Sequence, residues 1–283
     1  MTSLMDIPLP DAGVEPVAVV LNPLLTALGF EPSPLVHQAG RISALHEDWT
    51  FSSVFQPVFS LRATDEAPGY MGAEALVRVR DGNGHPIPPP MLFAAETSPR
   101  RTVYLDRLLR CLHVANYRQS RMSARMLFLN VNARHLANVS EHHGQFFSTV
   151  LEKLGMDPAL VCLEIVEDAV DDPARLLLAV QRYRQLGFAI ALDDFGQGAS
   201  NLERVWMLEP DFVKIDKRLM RRALMRPDLR DKLASLVDIL HLNEARVIAE
   251  GIESEWQLAI AREAGCDFAQ GYHLGRPEAF VVL

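Results

Sequence analysis

The stretch that decides the fold is AIALDDFGQG, residues 189–198. Its apolar start is typical of a buried strand, and two adjacent carboxylates, Asp193 and Asp194, follow directly. Aspartate and glycine are ordinary turn residues, so the run alone is compatible with a strand that ends in a turn. Adjacent carboxylates at a strand end can also share hard divalent cations, which remove their mutual repulsion. Further ligands elsewhere in the chain are needed to choose between these interpretations.

The composition of the chain bounds its class. Its 283 residues suit one large α/β domain or two small ones, and a hydrophobic fraction of 49% is enough for a sizeable core. A net charge of −8 argues against general binding to DNA or to anionic membranes, which needs basic patches. Three widely separated cysteines without a CxxC pair indicate reduced core thiols. Such reduced thiols favour a cytoplasmic protein, and no apolar run is long enough to span a bilayer.

Short β-prone runs alternate with helix-like segments from residue 51 onward. The predicted strands are 53–60, 72–79, 126–131, 160–166, 188–193, 211–215, 246–250 and 267–271. The predicted helices are 101–120, 142–154, 173–186, 200–208, 218–241 and 254–264. This alternation predicts a parallel sheet covered by helices, and a TIM-like (β/α)8 barrel is the natural α/β architecture at this length. A doubly wound open sheet is the alternative, although no GxGxxG or Walker loop follows any strand.

Two parts of the chain depart from this regular alternation. The first two predicted strands are joined by LRATDEAPGYM, residues 61–71, which is too short for a full helix. They are therefore expected to be antiparallel neighbours. Residues 1–48 are punctuated by prolines and less regular, and we predict that they form an N-terminal extension with short helices. The main domain is then expected to cover residues 49–283.

Polar side chains recur at the carboxyl ends of the predicted strands. They are Glu74, Asn132, Glu164, Asp193 with Asp194, Lys214, Glu250 and Gln270. Because the carboxyl ends of barrel strands converge on one rim, we expect these side chains to form one site. The set offers oxygen donors without histidine or cysteine, which favours Mg²⁺ or Mn²⁺ over zinc or copper. Two such ions beside a lysine suit in-line attack of water on a phosphorus centre.

Each of these residues also has an ordinary structural interpretation. Lys214 could pair with Asp211 or Asp216, and Gln270 could be a satisfied core amide. Their recurrence at seven of the eight predicted strand ends favours a site. A Mg²⁺-dependent enzyme that forms an enolate from a carboxylate substrate is a further alternative. The paired aspartates, and the lack of a second basic residue on a neighbouring strand, favour phosphodiester chemistry instead.

These residues resemble a known family. GAEALVR, residues 72–78, carries the Glu-Ala-Leu signature of EAL domains, the cyclic di-GMP phosphodiesterases of bacterial signalling. Similar family motifs occur in the family's order over residues 50–280: FQPVFSL, FLNVNARHL, LEIVED, LDDFGQG, DFVKIDKRLM, VIAEGIES and DFAQGYHLGRP. The resemblance implies an eight-stranded barrel with an antiparallel first strand that hydrolyses cyclic di-GMP to linear 5′-pGpG. A non-catalytic cyclic di-GMP receptor or adaptor on the same fold is the alternative.

The resemblance also implies roles for single residues. A first metal ion is expected on Glu74, Asn132, Glu164 and Asp193, and a second on Asp193 and Asp194 with Glu250 nearby. Lys214 is expected to position the attacking water and to form the catalytic set with Glu74 and Glu250. Gln270 is expected to help orient the water or Glu250. The expected substrate contacts are Gln56, Arg78 (to a phosphate), Asp106 (to a guanine edge), Glu253 and Gln270. Glu167 is expected to anchor the loop after Asp194.

The cofactors implied by the resemblance are two Mg²⁺ or Mn²⁺ ions, with Ca²⁺ inhibitory because it imposes looser coordination. A homodimer is also expected. No sensor is recognisable before the barrel, so a regulatory protein partner is a further expectation. The loop after the DDFG turn departs from the Thr, Tyr and Ser-Ser common in the family, because Gln197, Ala199 and Ser200-Asn201 stand there. That loop concerns dimer coupling and order of the metal site in the family, so the departure bears on rate and regulation.

Overall fold

A computed structural model of the chain describes residues 17–28, 34–38, 40–61, 69–95, 98–120, 122–131, 144–166, 172–196 and 202–279. The strands are β1 (Leu35–Gln38), β2 (Arg41–His46), β3 (Trp49–Ser60), β4 (Gly69–Arg80), β5 (Pro86–Ile87), β6 (Met126–Val131), β7 (Val161–Val166), β8 (Ala189–Phe195), β9 (Phe212–Ile215), β10 (Arg246–Ala249) and β11 (Phe268–Gln270). The helices are α1 (Val17–Thr26), α2 (Pro89–Ala95), α3 (Pro99–Arg118), α4 (Gln145–Leu154), α5 (Pro173–Gln185), α6 (Leu202–Leu208), α7 (Lys217–Met225), α8 (Pro227–Leu242) and α9 (Glu255–Glu263). A short 3₁₀ turn spans Pro158–Leu160.

Eight of the strands close into a barrel. The ladder runs from β3 through β4, β6, β7, β8, β9, β10 and β11 and returns to β3. Strand β3 is antiparallel to both of its barrel neighbours, β4 and β11. The other neighbouring pairs are parallel. The prediction of a TIM-like barrel with an antiparallel first strand is confirmed, and the open doubly wound sheet is wrong.

Two apolar layers hold the barrel together. A large cluster joins the helices to the outer faces of the strands and includes Leu127 and Leu163. Because side chains alternate across a strand, the residues next to these point to the other face of the sheet. They form a second buried cluster from six different strands: Val58, Phe128, Cys162, Ala191, Phe212 and Ile248. This second cluster fills the barrel interior, so the interior is a packed core rather than a channel.

The helices follow local signals that were visible in the sequence, with one exception. Asp172 caps α5 by accepting a hydrogen bond from the Arg175 backbone N–H, and Pro173 occupies the first turn. The single helix predicted over 218–241 is wrong, because the chain leaves helical geometry at Arg226, with φ −136° and ψ 105°. Pro227 causes this break, since proline disfavours helical geometry in the residue before it.

The described part of residues 17–48 contains helix α1 and strands β1 and β2. Strand β2 pairs antiparallel with the first residues of β3, with Ala44 opposite Phe51. The Asn116 side chain of α3 fixes β2 by bonding both the N–H and the carbonyl of Ile42. The domain boundary at residue 48 stays a prediction, and residues 1–16 lie outside the described residues.

Two expectations from composition concern the cysteines and the membrane. Cys111, Cys162 and Cys266 are all buried free thiols, as expected. Within the described residues, no helix combines the length and the apolar character needed to cross a membrane.

Candidate active site

The polar site residues stand one layer above the interior core of the barrel. Asn130, Glu164, Asp193, Lys214 and Glu250 each come two residues after an interior apolar residue: Phe128, Cys162, Ala191, Phe212 and Ile248. Residues two apart on a strand share a face, so the strands carry all five side chains to the carboxyl rim. Glu250 follows the last residue of its strand. The expected convergence of strand ends on one rim therefore has a simple geometric origin.

Lys214 lies at the centre of this layer. Its side chain is 1% exposed, and its ammonium nitrogen contacts four carboxylates. Nζ lies 2.7 Å from Glu164 Oε1, 2.8 Å from Glu250 Oε1, 3.2 Å from Glu74 Oε2 and 3.3 Å from Asp193 Oδ1. Burial alone would lower the pKa of Lys214, but the surrounding carboxylates raise it well above its usual value. The lysine is therefore a fixed positive charge.

Glu74 is held by three side chains from different strands. Its Oε2 accepts hydrogen bonds from Lys214 Nζ and from Gln270 Nε2 at 2.8 Å, and its Oε1 accepts one from Asn130 Nδ2 at 2.9 Å. Burial raises the pKa of this carboxyl, but Lys214 and the two amides outweigh burial, so the net shift is downward. Glu74 is thus held as a carboxylate in a fixed orientation.

Asn130 is the site residue that was not predicted. The motif FLNVNARHL offers two asparagines, and Asn132 was expected as the metal ligand. Asn132 lies outside the described residues, so its assignment stays a prediction. The signal that identifies Asn130 is its spacing of two from the interior residue Phe128, the same spacing that the other strand-end residues show.

Besides Glu164 Oε1, which pairs with Lys214 Nζ, two buried oxygen atoms of the site lack hydrogen-bond partners within the described part of the chain. They are Glu164 Oε2 and Gln270 Oε1. Glu164 is fully buried, and burial together with the nearby Glu74 carboxylate raises its pKa well above the usual value. Buried polar atoms are nearly always satisfied, so these two indicate that a further group completes the site.

The backbone conformation at the end of β8 determines how the side chains of Asp193 and Asp194 are oriented. Consecutive residues of a strand point to opposite faces, so Asp193 and Asp194 should diverge. The pairing of β8 with β9 shifts between Leu192 and Phe195, which is the mark of a β-bulge. Asp194 has a φ of +59°, in the left-handed region, which turns its side chain back towards its neighbour. Single carboxylate oxygens of Asp193, Asp194 and Glu250 consequently lie within 4.8 Å of one another.

These groups fit hard divalent cations. The donors are carboxylate and amide oxygens, the ligands that Mg²⁺ and Mn²⁺ prefer. Glu164 Oε2 and Gln270 Oε1 are acceptors that no donor among the described residues uses. Burial raises the pKa of Glu250 to about 8, only partly offset by the Lys214 ammonium, so this carboxyl also lacks full charge compensation. A bound cation would supply it.

A cleft of about 230 Å³ opens beside the carboxylates. Its lining residues are Gln56, Glu74, Lys217, Glu250, Gly251, Glu253, Gln270, Gly271 and Tyr272. Gln56 sits opposite Glu74 in the β3–β4 ladder, and its amide donates to the carbonyl of Gly275. The structure thus brings Gln56, Glu253 and Gln270, three of the predicted substrate contacts, to one cleft.

The remaining predicted residues lie elsewhere or outside the described chain. Arg78 is exposed on β4, four residues beyond Glu74 towards the rim, so it shares the face of Glu74. Asp106 is buried on α3 in an ion pair with Arg110, which also donates to the Tyr183 hydroxyl. Its contact with guanine stays a prediction. Glu167 and the altered loop 197–201 lie outside the described residues.

Comparison with known proteins identifies relatives over most of the chain. A family profile described as EAL domain matches residues 41–277. The cyclic di-GMP phosphodiesterase NbdA of Pseudomonas aeruginosa is 32% identical over 222 residues, which is 76% of this chain and 26% of that protein. The cyclic di-GMP phosphodiesterase RocR of the same organism is 28% identical over 80% of this chain and 57% of its own length. The chain therefore spans about a quarter to somewhat more than half of these relatives.

A solved structure shares the fold. The Bacillus subtilis protein YkuI, which has an EAL domain, superposes with a TM-score of 0.68 at 27% identity, covering 82% of this chain and 57% of that protein. Its structure was determined in complex with substrate c-di-GMP and calcium. This similarity agrees with the closed mixed barrel seen here.

Proposed function

This chain belongs to the EAL domain family, and from that premise we propose that it hydrolyses one phosphodiester bond of cyclic di-GMP to give linear 5′-pGpG, using two Mg²⁺ or Mn²⁺ ions. The proposal rests on the group of charged residues at the carboxyl rim of the barrel. Four carboxylates surround Lys214, and the bulge at the end of β8 adds Asp194 beside Asp193. The phosphodiesterases NbdA and RocR, which match most of this chain, support the same activity.

The residues at the rim divide into two groups of ligands. One ion would be held by Glu74, Asn130, Glu164 and Asp193, with Asn132 as the alternative amide. The other would be held by Asp193, Asp194 and Glu250, whose oxygens already lie close together. The chemistry that such ions would supply there is acidification of bound water and neutralisation of the charge that develops on the phosphoryl oxygens. The calcium in the YkuI complex supports a divalent site on this fold, and we propose that Ca²⁺ inhibits by looser coordination.

Lys214 and Glu250 would act on the attacking water. The raised pKa of Lys214 keeps its ammonium protonated, so it serves as a hydrogen-bond donor that positions water rather than as a base. Glu250 lies 2.8 Å from this ammonium, and burial raises its pKa to about 8. A carboxyl with a pKa near the operating pH suits the acceptance of a proton. Gln270 holds Glu74 through one amide end and leaves its carbonyl oxygen available to orient the water.

The cleft would bind the nucleotide through residues that flank this centre. Gln56 and Glu253 offer amide and carboxylate groups at the cleft wall. Arg78 would contact a substrate phosphate through its guanidinium, which suits bidentate binding. Asp106 would contact a guanine edge after leaving its buried pair with Arg110.

The test is turnover of cyclic di-GMP by the purified full chain with Mg²⁺ or Mn²⁺, followed by chromatography of the nucleotides. We expect linear 5′-pGpG, no product with Ca²⁺, and no product from Glu74→Ala or Lys214→Ala. Glu152→Ala is the matched control, because Glu152 is exposed on α4, and it should retain full activity. Nucleotide binding without product under all metals would refute the phosphodiesterase and favour the receptor alternative.

We further propose that the protein acts in the cytoplasm as a homodimer and that a regulatory protein partner controls it. Sedimentation of the purified chain with and without nucleotide tests the dimer directly. A single monomeric species at all concentrations under both conditions would refute it.

A further inference from the structure

Lys217 is a cation in the cleft to which no role has been assigned. It is the first residue of α7 and an exposed side chain. Among the described residues that line the cleft, it is the only lysine or arginine, beside the carboxylates of Glu74, Glu250 and Glu253. Within the described chain its ammonium has no hydrogen bond or ion pair. An unpaired ammonium in an acidic cleft is available to an incoming anion.

The position of Lys217 is fixed by both of its neighbours in space. Asp216 caps α7 by accepting a hydrogen bond from the Arg218 backbone N–H at 2.8 Å, which sets where the helix begins. Gly251 has a φ of +63°, and a Cβ placed there would lie 2.3 Å from Lys217 Cβ. Only glycine therefore lets the loop between Glu250 and Glu253 close onto the lysine. The two sides of the cleft meet at this contact.

Glu253, which lines the same cleft, does not require Lys217 as its counter-charge. Arg221 Nη2 already lies 3.0 Å and 3.1 Å from the two carboxylate oxygens of Glu253. Arg221 stands one helical turn after Lys217 on the same face of α7. The pair of Arg221 with Glu253 leaves Lys217 directed at the cleft without a competing partner.

The charges of a cyclic dinucleotide match this arrangement. Such a substrate carries two phosphates, and only the one at the carboxylate rim would be neutralised by metal ions. The other phosphate enters a cleft rich in carboxylates and needs a positive contact. Lys217 follows β9, whereas Arg78 lies on β4, and strands β10, β11 and β3 separate these two in the barrel. The two cations therefore belong to different sides of the barrel, and of the two only Lys217 lines the cleft.

On the basis of the function proposed above, we infer that Lys217 binds a phosphate of the cyclic dinucleotide in the bound substrate. This contact exists both before and during bond cleavage, because the lysine lies outside the reacting cluster. An interaction of equal strength in the ground state and the transition state lowers KM and leaves kcat unchanged. Lys217 is thus assigned to substrate affinity rather than to the chemical step.

The experiment compares steady-state kinetics of the full chain and its Lys217→Met variant with cyclic di-GMP. We expect KM to rise about tenfold, which corresponds to about 1.4 kcal/mol, with kcat unchanged. Lys217→Arg should restore KM, and added salt should raise KM less in Lys217→Met than in the wild type. Arg222→Met is the matched control: it removes a positive charge from an exposed position of α7 outside the cleft and should leave KM unchanged.

An unchanged KM in Lys217→Met, or an equal loss in Arg222→Met, overturns the inference. If Lys217→Met is poorly folded by circular dichroism, Lys217→Gln replaces it. Calorimetric binding of cyclic di-GMP separates this inference from the proposed function. A wild type that binds cyclic di-GMP but does not hydrolyse it refutes the proposed phosphodiesterase. In that case the affinity of Lys217→Met, compared with that of the wild type, still tests whether Lys217 binds a phosphate. A wild type that does not bind refutes both.

Discussion

Replacing Lys214 by Met tests whether this lysine is the internal counter-charge of the active site. Methionine has a similar length and removes only the ammonium, which contacts four carboxylates at 2.7 to 3.3 Å. Glu164 is 0% exposed, so it cannot recover the lost partner by turning to water. The variant therefore leaves buried negative charge without compensation.

The magnitude follows from this burial. Removing one partner of a buried ion pair costs about 3–5 kcal/mol, because the other charge stays buried and unpaired. At roughly 2–4 °C per kcal/mol for a large domain, the Tm should fall by about 6–20 °C. Divalent cations bind the same carboxylates, so Mg²⁺ should raise the Tm of the variant more than that of the wild type. Turnover of cyclic di-GMP by the variant should be lost even where Mg²⁺ restores its Tm.

Thermal unfolding followed by circular dichroism, with and without Mg²⁺, measures both effects. Lys232→Met on α8 is the control, since Lys232 is exposed and its loss should change stability by less than about 0.5 kcal/mol. A Lys214→Met variant that melts with the wild type in metal-free buffer would refute the reasoning. So would a variant whose Tm does not respond to Mg²⁺.

Three further predictions concern the ligands. Asn130→Ala should weaken Mg²⁺ binding by about 10–100-fold, as loss of a group that orients a ligand does, whereas Asn132→Ala should weaken it less. Titration calorimetry of both variants measures the two affinities. A larger loss in Asn132→Ala than in Asn130→Ala would restore Asn132 as the ligand. Because burial raises the pKa of Glu250 to about 8, the metal-free carboxyl is largely protonated at neutral pH. Mg²⁺ binding should therefore release protons, and the affinity for Mg²⁺ should increase from about pH 6 to about pH 8. Equal binding heats in buffers of different ionisation enthalpy would contradict this prediction. Asp194→Gly should keep or raise the Tm, since glycine accepts the positive φ without strain, while activity is lost; a clear drop in Tm would show that the side chain supports the fold.

Much of the barrel could be predicted because its signals are local. Each barrel strand coincides with a predicted strand within a few residues, as 126–131 does with β6. The strands β1, β2 and β5 were missed because they are short and lie outside the barrel: β2 and β5 pair only with the ends of β3 and β4, and β1 pairs with β2. The break at Arg226 was readable from Pro227, but a continuous helical pattern of apolar residues obscured it.

The site was predictable as a set of residues but not as a geometry. Strand ends in a barrel converge, so the carboxylates around Lys214 could be grouped from sequence alone. The joint orientation of Asp193 and Asp194 could not, because it depends on a bulge in the pairing of β8 with β9. The motif FLNVNARHL alone also does not distinguish its two asparagines, because residues two apart on a strand share a face. Asn130 is identified by its position directly above the interior residue Phe128 and by its hydrogen bond to Glu74.

The antiparallel course of β3 has a practical consequence for shortened versions of this protein. Its first residues project beyond the rim, where β2 pairs with them. There the side chain of Asn116 on α3 forms hydrogen bonds with the backbone of Ile42 on β2. A polypeptide begun at Trp49 would lack β2, and Asn116 Oδ1 would lose the hydrogen bond that it accepts from the Ile42 N–H, while Nδ2 keeps its bond to the Leu112 carbonyl. The exposed edge of β3 would be open to strand pairing between copies, so aggregation of such a fragment would result from the loss of β2 and not from a defect of the barrel.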